Sequence, residues 1–300
     1  MADYTTYFNG EWVPFSQVKI DPMDRGFMGG DVVFDVARTF NGKSFHMERH
    51  VDRLYRSLKY ARIDPGLSPD EMLEISEEVI RRNEDQRAEV GDFSIWQFVT
   101  RGPGGRTRDA GPPTVCVKVI QVGFNAYARF YDEGSHGVIV RTRSYRPDSL
   151  DPKVKHWSRM NFALADLETA DVDPDGWPIL TNSIGNITEG TTNNVFLVTD
   201  GVIRTPSDGD ILQGVSRGMV FELARQLHIP ITEEDLQPYD LYTADEAFFT
   251  STGSCVLPMT KADGRKIGDG KPGPISQQLL AAWGELVGLD IVDQARRFGL

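Results

Sequence analysis

The stretches DPKVKHWSRMNFALADLETA (151–170) and NITEGTTNNVFLVTDG (186–201) decide how this chain is read. The first sets Lys155 just before a predicted helix, about 157 to 170, whose apolar face is Phe162, Ala165 and Leu167. The second places Glu189 ahead of a Gly/Thr/Asn turn and a buried strand. Next, ILQGVSRGMV (211–220) brings a glycine to the start of a helix, where free backbone N–H groups suit a phosphate. FFTSTGSC (248–255) adds small hydroxyl residues at a strand end. Taken singly, each has a plain reading, since a lysine at a helix start is by default a solvated side chain.

Outward from these stretches, the chain reads as two α+β halves. YFNGEWV is a hairpin turning at Asn9-Gly10. A Gly-rich bend, DRGFMGGD (24–31), leads into the strand VVFDVARTF. A helix is predicted near 48–62, with Val51, Leu54, Leu58 and Ala61 on one face. Ser68-Pro69-Asp70-Glu71 is a helix start with Ser as N-cap, Pro at N1 and Glu at N3. SIWQFVT (94–100) and TVCVKVIQV (114–122) are strands around the loop RGPGGRTRDAGPP. Residues 123–135 break the pattern, so the expected division is a domain over 1–122, a linker over 123–135 and a second domain over 136–300. The second half alternates strands (GVIVRTR, PILTN, NVFLV, EAFFTS, CVLPMT) with helices that end at PISQQLLAAWGELV. Strict βαβ alternation is absent, which favours α+β over a doubly wound sheet.

Composition narrows the function classes. Against 44 Asp+Glu stand 32 Lys+Arg, a net charge of −12, which argues against a nucleic-acid groove or an anionic membrane as main partner. Two cysteines, Cys116 and Cys255, make no disulfide framework. MADYTTYFNGEWVPF has no signal-peptide pattern, and no apolar run reaches the ~18 residues of a membrane span, so a cytoplasmic protein is expected. GDGKPG (268–273) matches a dinucleotide fingerprint by letters only, lacking the early βαβ context. HMERH spaces His46 and His50 four apart, but no third zinc ligand is in register, so a pair of histidines near a helix start is expected. Neither a P-loop nor a GxSxG elbow occurs.

Taken together, the segments DRGF…GDVVFDVARTFNGK, HVDRLYRS, KVKHW…LETA, ITEGTTNNVF, TP…ILQGVSR and EAFFTSTGSCVLP resemble, in order, the class IV aminotransferases of fold type IV. The resemblance implies two α/β domains with pyridoxal 5′-phosphate in the interdomain cleft and a site completed in a homodimer. It implies Lys155, not Lys153, as the Schiff-base lysine and proton shuttle, and Glu189 beside the pyridine nitrogen. For the phosphate it implies Arg53, Val215, Ser216 and Thr252. The loop bearing Arg106 and Arg108 resembles the arginine loop that seats a substrate carboxylate in related enzymes, and its glycines are expected to let it swing. Arg159 and Met160 stand where branched-chain enzymes carry a tyrosine. The implied reaction is ping-pong transfer of an amino group from an (R)-amine or D-amino acid to a 2-keto acid such as pyruvate. The alternatives are an L-branched-chain aminotransferase, an aminodeoxychorismate-lyase-type enzyme, and a catalytically silent homologue.

Overall fold

The computed structural model describes residues 3–299. They fall into two compact units, one running to Val122 and including Val154–Arg159, the other formed by Gly123–Lys153 and Met160 onward.

The first unit is built on six strands: β1 (Thr5–Phe8), β2 (Glu11–Pro14), β3 (Val32–Phe40), β4 (Lys43–Ser44), β5 (Phe93–Thr100) and β6 (Val115–Gln121). They are ordered β2-β1-β6-β5-β3-β4 with every pair antiparallel. The hairpin turn is as expected, with Asn9 at φ 49 and Gly10 at φ 94, the left-handed pair a primed turn requires. Its helices are α1 (Arg25–Gly29), α2 (Met47–Ala61), α3 (Pro69–Arg81) and α4 (Arg87–Val90). Ser68 and Glu71 form the anticipated capping box, Ser68 N donating to Glu71 Oε2 (2.7 Å) and Glu71 N to Ser68 Oγ (3.2 Å).

Alternation along β3 gives it two different faces. Val33 and Ala37 enter a core with Val51, Leu54 and Leu58 of α2 and Met72 and Val79 of α3. Burying each of the larger of these side chains contributes about 1.5–3 kcal/mol. Val32 and Phe34 join a smaller cluster with Phe98 and Cys116, against which Trp96 and Trp157 pack.

Two expectations in this unit change. The bend at 24–31 contains the short helix α1, capped by Asp24, whose Oδ1 accepts from Gly26 N at 2.6 Å, and closed by Gly30 in the left-handed region. The glycines of the 101–113 loop do not all confer freedom. Gly102 has φ 89, and a Cβ there would stand 2.1 Å from Pro112 O, so this glycine permits close packing of the loop base. Gly111 N donates to Pro103 O (2.6 Å) and Arg25 N to Gly102 O (2.9 Å). Buried Asp24 fastens the same base, its Oδ2 accepting from Thr100 Oγ1 and Thr114 Oγ1, each at 2.7 Å.

The second unit carries β7 (Ser135–Arg143), β8 (Trp177–Thr181), β9 (Asn194–Thr199), β10 (Val202–Pro206), β11 (Ile231–Glu234), β12 (Glu246–Ser251), β13 (Cys255–Ala262) and β14 (Arg265–Lys266). The order is β11-β10-β9-β12-β13-β7-β8, with β14 beside β13. Its helices are α5 (Phe130–Glu133), α6 (Met160–Val172), α7 (Val215–Gln226), α8 (Pro238–Tyr242), α9 (Pro274–Val287) and α10 (Ile291–Phe298). The sequence reading stops at α9 and omits α10. Phe196 of β9 and Phe248 of β12 stack at 5.0 Å, and both are buried, as are Leu223 of α7 and Trp283 of α9.

Residues 123–135, expected to link two domains, belong to this second unit. Phe124, Tyr127, Phe130 and Tyr131 are all buried, and Tyr127 and Tyr131 donate to Gly253 O (2.9 Å) and Ser254 O (2.7 Å). Four buried aromatic rings make this stretch part of a core, which a linker cannot be. Helix α6 starts at Met160, later than predicted. On it Ala165 is buried and Leu167 is 64% exposed, so Leu167 is not on the core face. GDGKPG is a loop leading into α9, whose N-terminus is served by Glu246, accepting from Ile275 N (2.9 Å) and Ser276 N (3.0 Å). None of the helices among the described residues is long and apolar enough to cross a membrane.

Asp24→Ala removes the shared acceptor of two buried hydroxyls and a helix-start N–H. The expected loss, read by urea denaturation, is about 2–4 kcal/mol, the range for breaking a buried network; a loss near zero would show that the loop base is held elsewhere.

Candidate active site

Lys155 does not sit at a helix start. It lies in the extended piece Val154–Arg159, which adds to the edge of β3. Phe34 N donates to Lys155 O (3.0 Å) and Trp157 N to Val32 O (3.1 Å), with an antiparallel bridge between Val33 and His156. Lys155 N donates to Ser57 Oγ (3.2 Å), which donates onward to Arg53 O (3.0 Å). Side-chain Nζ stands 4.8 Å from the centroid of Phe34. Trp96 stacks on that ring at 5.9 Å and Trp157 tilts against it at 5.2 Å. The lysine amine therefore lies against an aromatic wall. Next to it, His156 is pushed down to about 4 by burial and by the charges of Arg159 and Lys155, so it is neutral near pH 7.

Arg53 is buried and already engaged along one edge. Its Nε donates to Asp35 Oδ2 and its Nη2 to Asp35 Oδ1, both at 2.8 Å. His50 Nδ1 lies 2.6 Å from the same Oδ1, and Val36 N donates to it at 2.8 Å. Burial would raise the Asp35 carboxyl, but Arg53 and His50 overcome it and hold it well below the usual range. Burial depresses His50, helped by Arg53 and Lys155 and opposed by Asp35. A neutral His50 then donates its Nδ1 proton to the carboxylate. The sequence analysis missed Asp35 and His50 as partners of Arg53. The signal was present: Asp35 shares the strand face of Val33 and Ala37, and a carboxylate there needs a cation. His50 and Arg53, three apart, share the buried face of α2. No group of three or more potential metal ligands occurs among the described residues.

In the second unit Glu189 is buried before β9. Its oxygens accept from Leu212 N (3.2 and 3.1 Å), and Oε2 from Asn194 Nδ2 (3.2 Å). Asn194 Nδ2 also donates to Leu212 O (3.0 Å), tying the carboxylate to the segment that enters α7. Gly214 caps α7, and no side chain hydrogen-bonds to that cap. A Cβ on Gly214 would meet Asn194 Oδ1 at 2.2 Å, so only glycine lets the helix start come this close. Val215 and Ser216 open α7, and its first turn holds no acid that would repel an anion. Thr252 lies in the turn between β12 and β13, two residues past Thr250, the register partner of Asn194. Glu189, Val215, Ser216 and Thr252 thus share one region of this unit. Asn194 is the residue that the sequence analysis overlooked there.

Arg106 and Arg108 stand apart, on the exposed tip of the 101–113 loop. With Arg25, Arg62 and Arg101 they line a cavity of about 710 Å³ in the first unit. Arg101 is paired with Asp31 (2.6 and 3.0 Å), while the buried Nε of Arg25 lacks a hydrogen-bond partner among the described residues.

A family description, amino-transferase class IV, matches residues 32–262. The chain is 34% identical over 280 residues to a putative branched-chain-amino-acid aminotransferase of Methanocaldococcus jannaschii, covering 91% of this chain and 93% of that protein. It is 30% identical over 279 residues to the D-alanine aminotransferase of Staphylococcus haemolyticus, covering 91% and 94%. Among solved structures, the branched-chain aminotransferase of Thermoproteus uzoniensis aligns with a TM-score of 0.87 at 25% identity, over 99% of this chain and 97% of that one. The cofactor of the family is pyridoxal 5′-phosphate, and the residues here fit it. An uncapped helix start with a glycine cradle suits the phosphate, a buried carboxylate suits a protonated ring nitrogen, and a lysine suits the aldehyde. A family match across most of the chain, with relatives of 30–34% identity that the chain covers over more than nine-tenths of their length, makes this protein a class IV aminotransferase, a pyridoxal-phosphate-dependent transaminase.

Proposed function

We propose that the chain, as a cytoplasmic homodimer, moves an amino group from an (R)-amine or a D-amino acid to a 2-keto acid such as pyruvate. The observation that carries this reading is the contrast within the first unit between two surroundings. Lys155 faces an apolar aromatic wall, whereas the carboxylate-seeking arginines stand on a separate loop. An amine donor brings an apolar group and the acceptor brings a carboxylate. A fixed buried arginine left unpaired by the apolar partner would cost several kcal/mol. The exposed tip carrying Arg106 and Arg108 avoids that cost, although Gly102 pins the base of the loop. The handedness rests on the resemblance to D-amino-acid and (R)-amine enzymes and on the D-alanine aminotransferase among the relatives. Support for the dimer comes from exposed apolar side chains on α1 (Phe27, Met28) and along one stripe of α6 (Met160, Leu164, Leu167).

In this reading Arg53, the Val215 and Ser216 amides and Thr252 bind the phosphate, and Glu189 keeps the ring nitrogen protonated. The bound cofactor supplies an electron sink for the carbon that loses its proton. Lys155 Nζ would take that proton from the donor carbon and pass it to the cofactor's C4′, and would carry out the same transfer in reverse on the acceptor in the second half-reaction. Domain limits of 1–122 and 136–300 give way in this proposal to the two units described above.

The second reading, transfer from L-branched-chain amino acids, is favoured by the archaeal relative and by the structural neighbours. An aromatic wall also suits a branched aliphatic side chain. Half-reactions followed by the cofactor's absorbance separate the two. D-alanine or (R)-1-phenylethylamine should convert the enzyme rapidly and L-leucine slowly; the reverse order would transfer the assignment to the second reading.

Three substitutions test the roles. Lys155→Ala should lower turnover by about 10³-fold, within the range for a positioned acid–base group, while Lys153→Ala stays near wild type; equal effects would remove Lys155 from its role. Glu189→Gln should keep the cofactor bound while kcat falls about a hundredfold, and an unchanged kcat would place the ring nitrogen elsewhere. Replacing Arg106 and Arg108 together by alanine should raise the KM for pyruvate at least about tenfold, the order of a lost charge-assisted contact. The same variant should change the KM for an uncharged (R)-amine about twofold or less. Parallel losses for both substrates would detach the loop from carboxylate binding.

A further inference from the structure

We propose that Asp35 is a positioning residue for the cofactor phosphate. By holding the Nε–Nη2 edge of Arg53, it aims the rest of the guanidinium and fixes its distance from Lys155. The inference rests on the reading of Arg53 as a phosphate ligand.

The geometry begins with β3. Asp35 is entirely buried and pairs in register with Gln97 of β5, so its backbone cannot drift. Its two oxygens take four donors: Arg53 Nε and Nη2, His50 Nδ1 and Val36 N. Val36 belongs to the same strand, so the carboxylate is fastened to β3 as well as to α2. An arginine side chain left alone samples many rotamers, whereas a two-pronged carboxylate contact fixes the plane of its guanidinium.

The residue just before Asp35 holds the lysine segment. Phe34 N–H binds Lys155 O, and the Phe34 ring lies under Lys155 Nζ. Two successive residues of one strand therefore grip the cofactor's two first-unit anchors, Phe34 on one face and Asp35 on the other. A second path, from Lys155 N through Ser57 Oγ to Arg53 O, closes the loop. The spacing between lysine and arginine is set by strand geometry, and Asp35 transmits it to the guanidinium. A neutral His50 completes the grip by donating to Asp35 without adding a second positive charge beside Arg53.

The test compares pyridoxal 5′-phosphate with pyridoxal, which lacks the phosphate. Each is titrated into the protein freed of bound cofactor and followed by absorbance. Arg53→Ala should lower the affinity ratio of phosphorylated to unphosphorylated ligand by about a hundredfold, and Asp35→Asn by at least about tenfold, as for loss or misdirection of a charge-assisted bond. Pyridoxal itself should bind each variant within about twofold of wild type, since it makes no phosphate contact. Asp35→Asn leaves Arg53 buried without its counter-charge and can fail to fold. Asp35→Glu keeps that charge and shifts the carboxylate by one methylene, so its ratio should fall less, about fivefold. An unchanged ratio in whichever Asp35 variant folds, alongside a lowered ratio in Arg53→Ala, overturns the role of Asp35 and leaves Arg53 as phosphate ligand. Equal weakening of both ligands overturns it too, as a purely structural effect. An unchanged ratio in Arg53→Ala defeats the phosphate reading and this inference together.

Discussion

Phe34 N–H donating to Lys155 O, and Trp157 N–H donating to Val32 O, fasten residues 154–159 to the first unit's sheet. The start of β3 would otherwise be an open sheet edge, because β4 pairs only with Thr39 and Phe40. A short extended piece from far along the chain fills that edge. The consequence is chemical: Lys155 becomes part of the unit that holds Arg53, although most of its sequence neighbours fold into the other one. Edge pairing of this kind holds the backbone of Lys155 in register with Phe34.

Around that edge the sheet separates two environments. On one face Phe34, Trp96, Phe98 and Trp157 make an aromatic surface against which a lysine amine can rest. On the other, Asp35 carries a negative charge into the core, tolerable only because Arg53 and His50 meet it with good geometry. The carboxyl is held low, while burial with Arg53 and Lys155 keeps His50 neutral. In the second unit Asn194 has the organising part, bonding both Glu189 and Leu212 beside a helix start that only a glycine cap allows so near. Each unit thus has a buried polar network of its own, Asp35 with Arg53 and His50 in the first and Glu189 with Asn194 and Leu212 in the second.

Much of this was legible in the residues. The Asn9-Gly10 turn, the capping box at Ser68 and the principal strands follow from local rules, because their geometry depends on a few consecutive residues. Lys155, Glu189, Val215, Ser216 and Thr252 came from motifs in order; within its own unit Lys155 lies against the Phe34 ring, and within the other Glu189 is tied through Leu212 and Asn194 to the segment that enters α7. What failed was non-local. Residues 123–135 look like a linker until the hydroxyls of Tyr127 and Tyr131 are seen to reach the β12–β13 turn. Gly102 looks like a hinge until Pro112 O is found where its Cβ would be.

The sequence by itself determined the family, the elements and the residue types that chemistry needs, since periodicity, caps and motif order are written along the chain. Only the tertiary structure decided that Lys155 lies in a segment paired alongside the start of β3 ahead of α6, that Arg53 shares its guanidinium with Asp35, and that Asn194 joins Glu189 to the start of α7. These are pairings between residues 5 to 121 positions apart. The physical reason is that a buried donor or acceptor is satisfied by whatever the packed core brings beside it, and that partner is chosen by the folding of the whole unit.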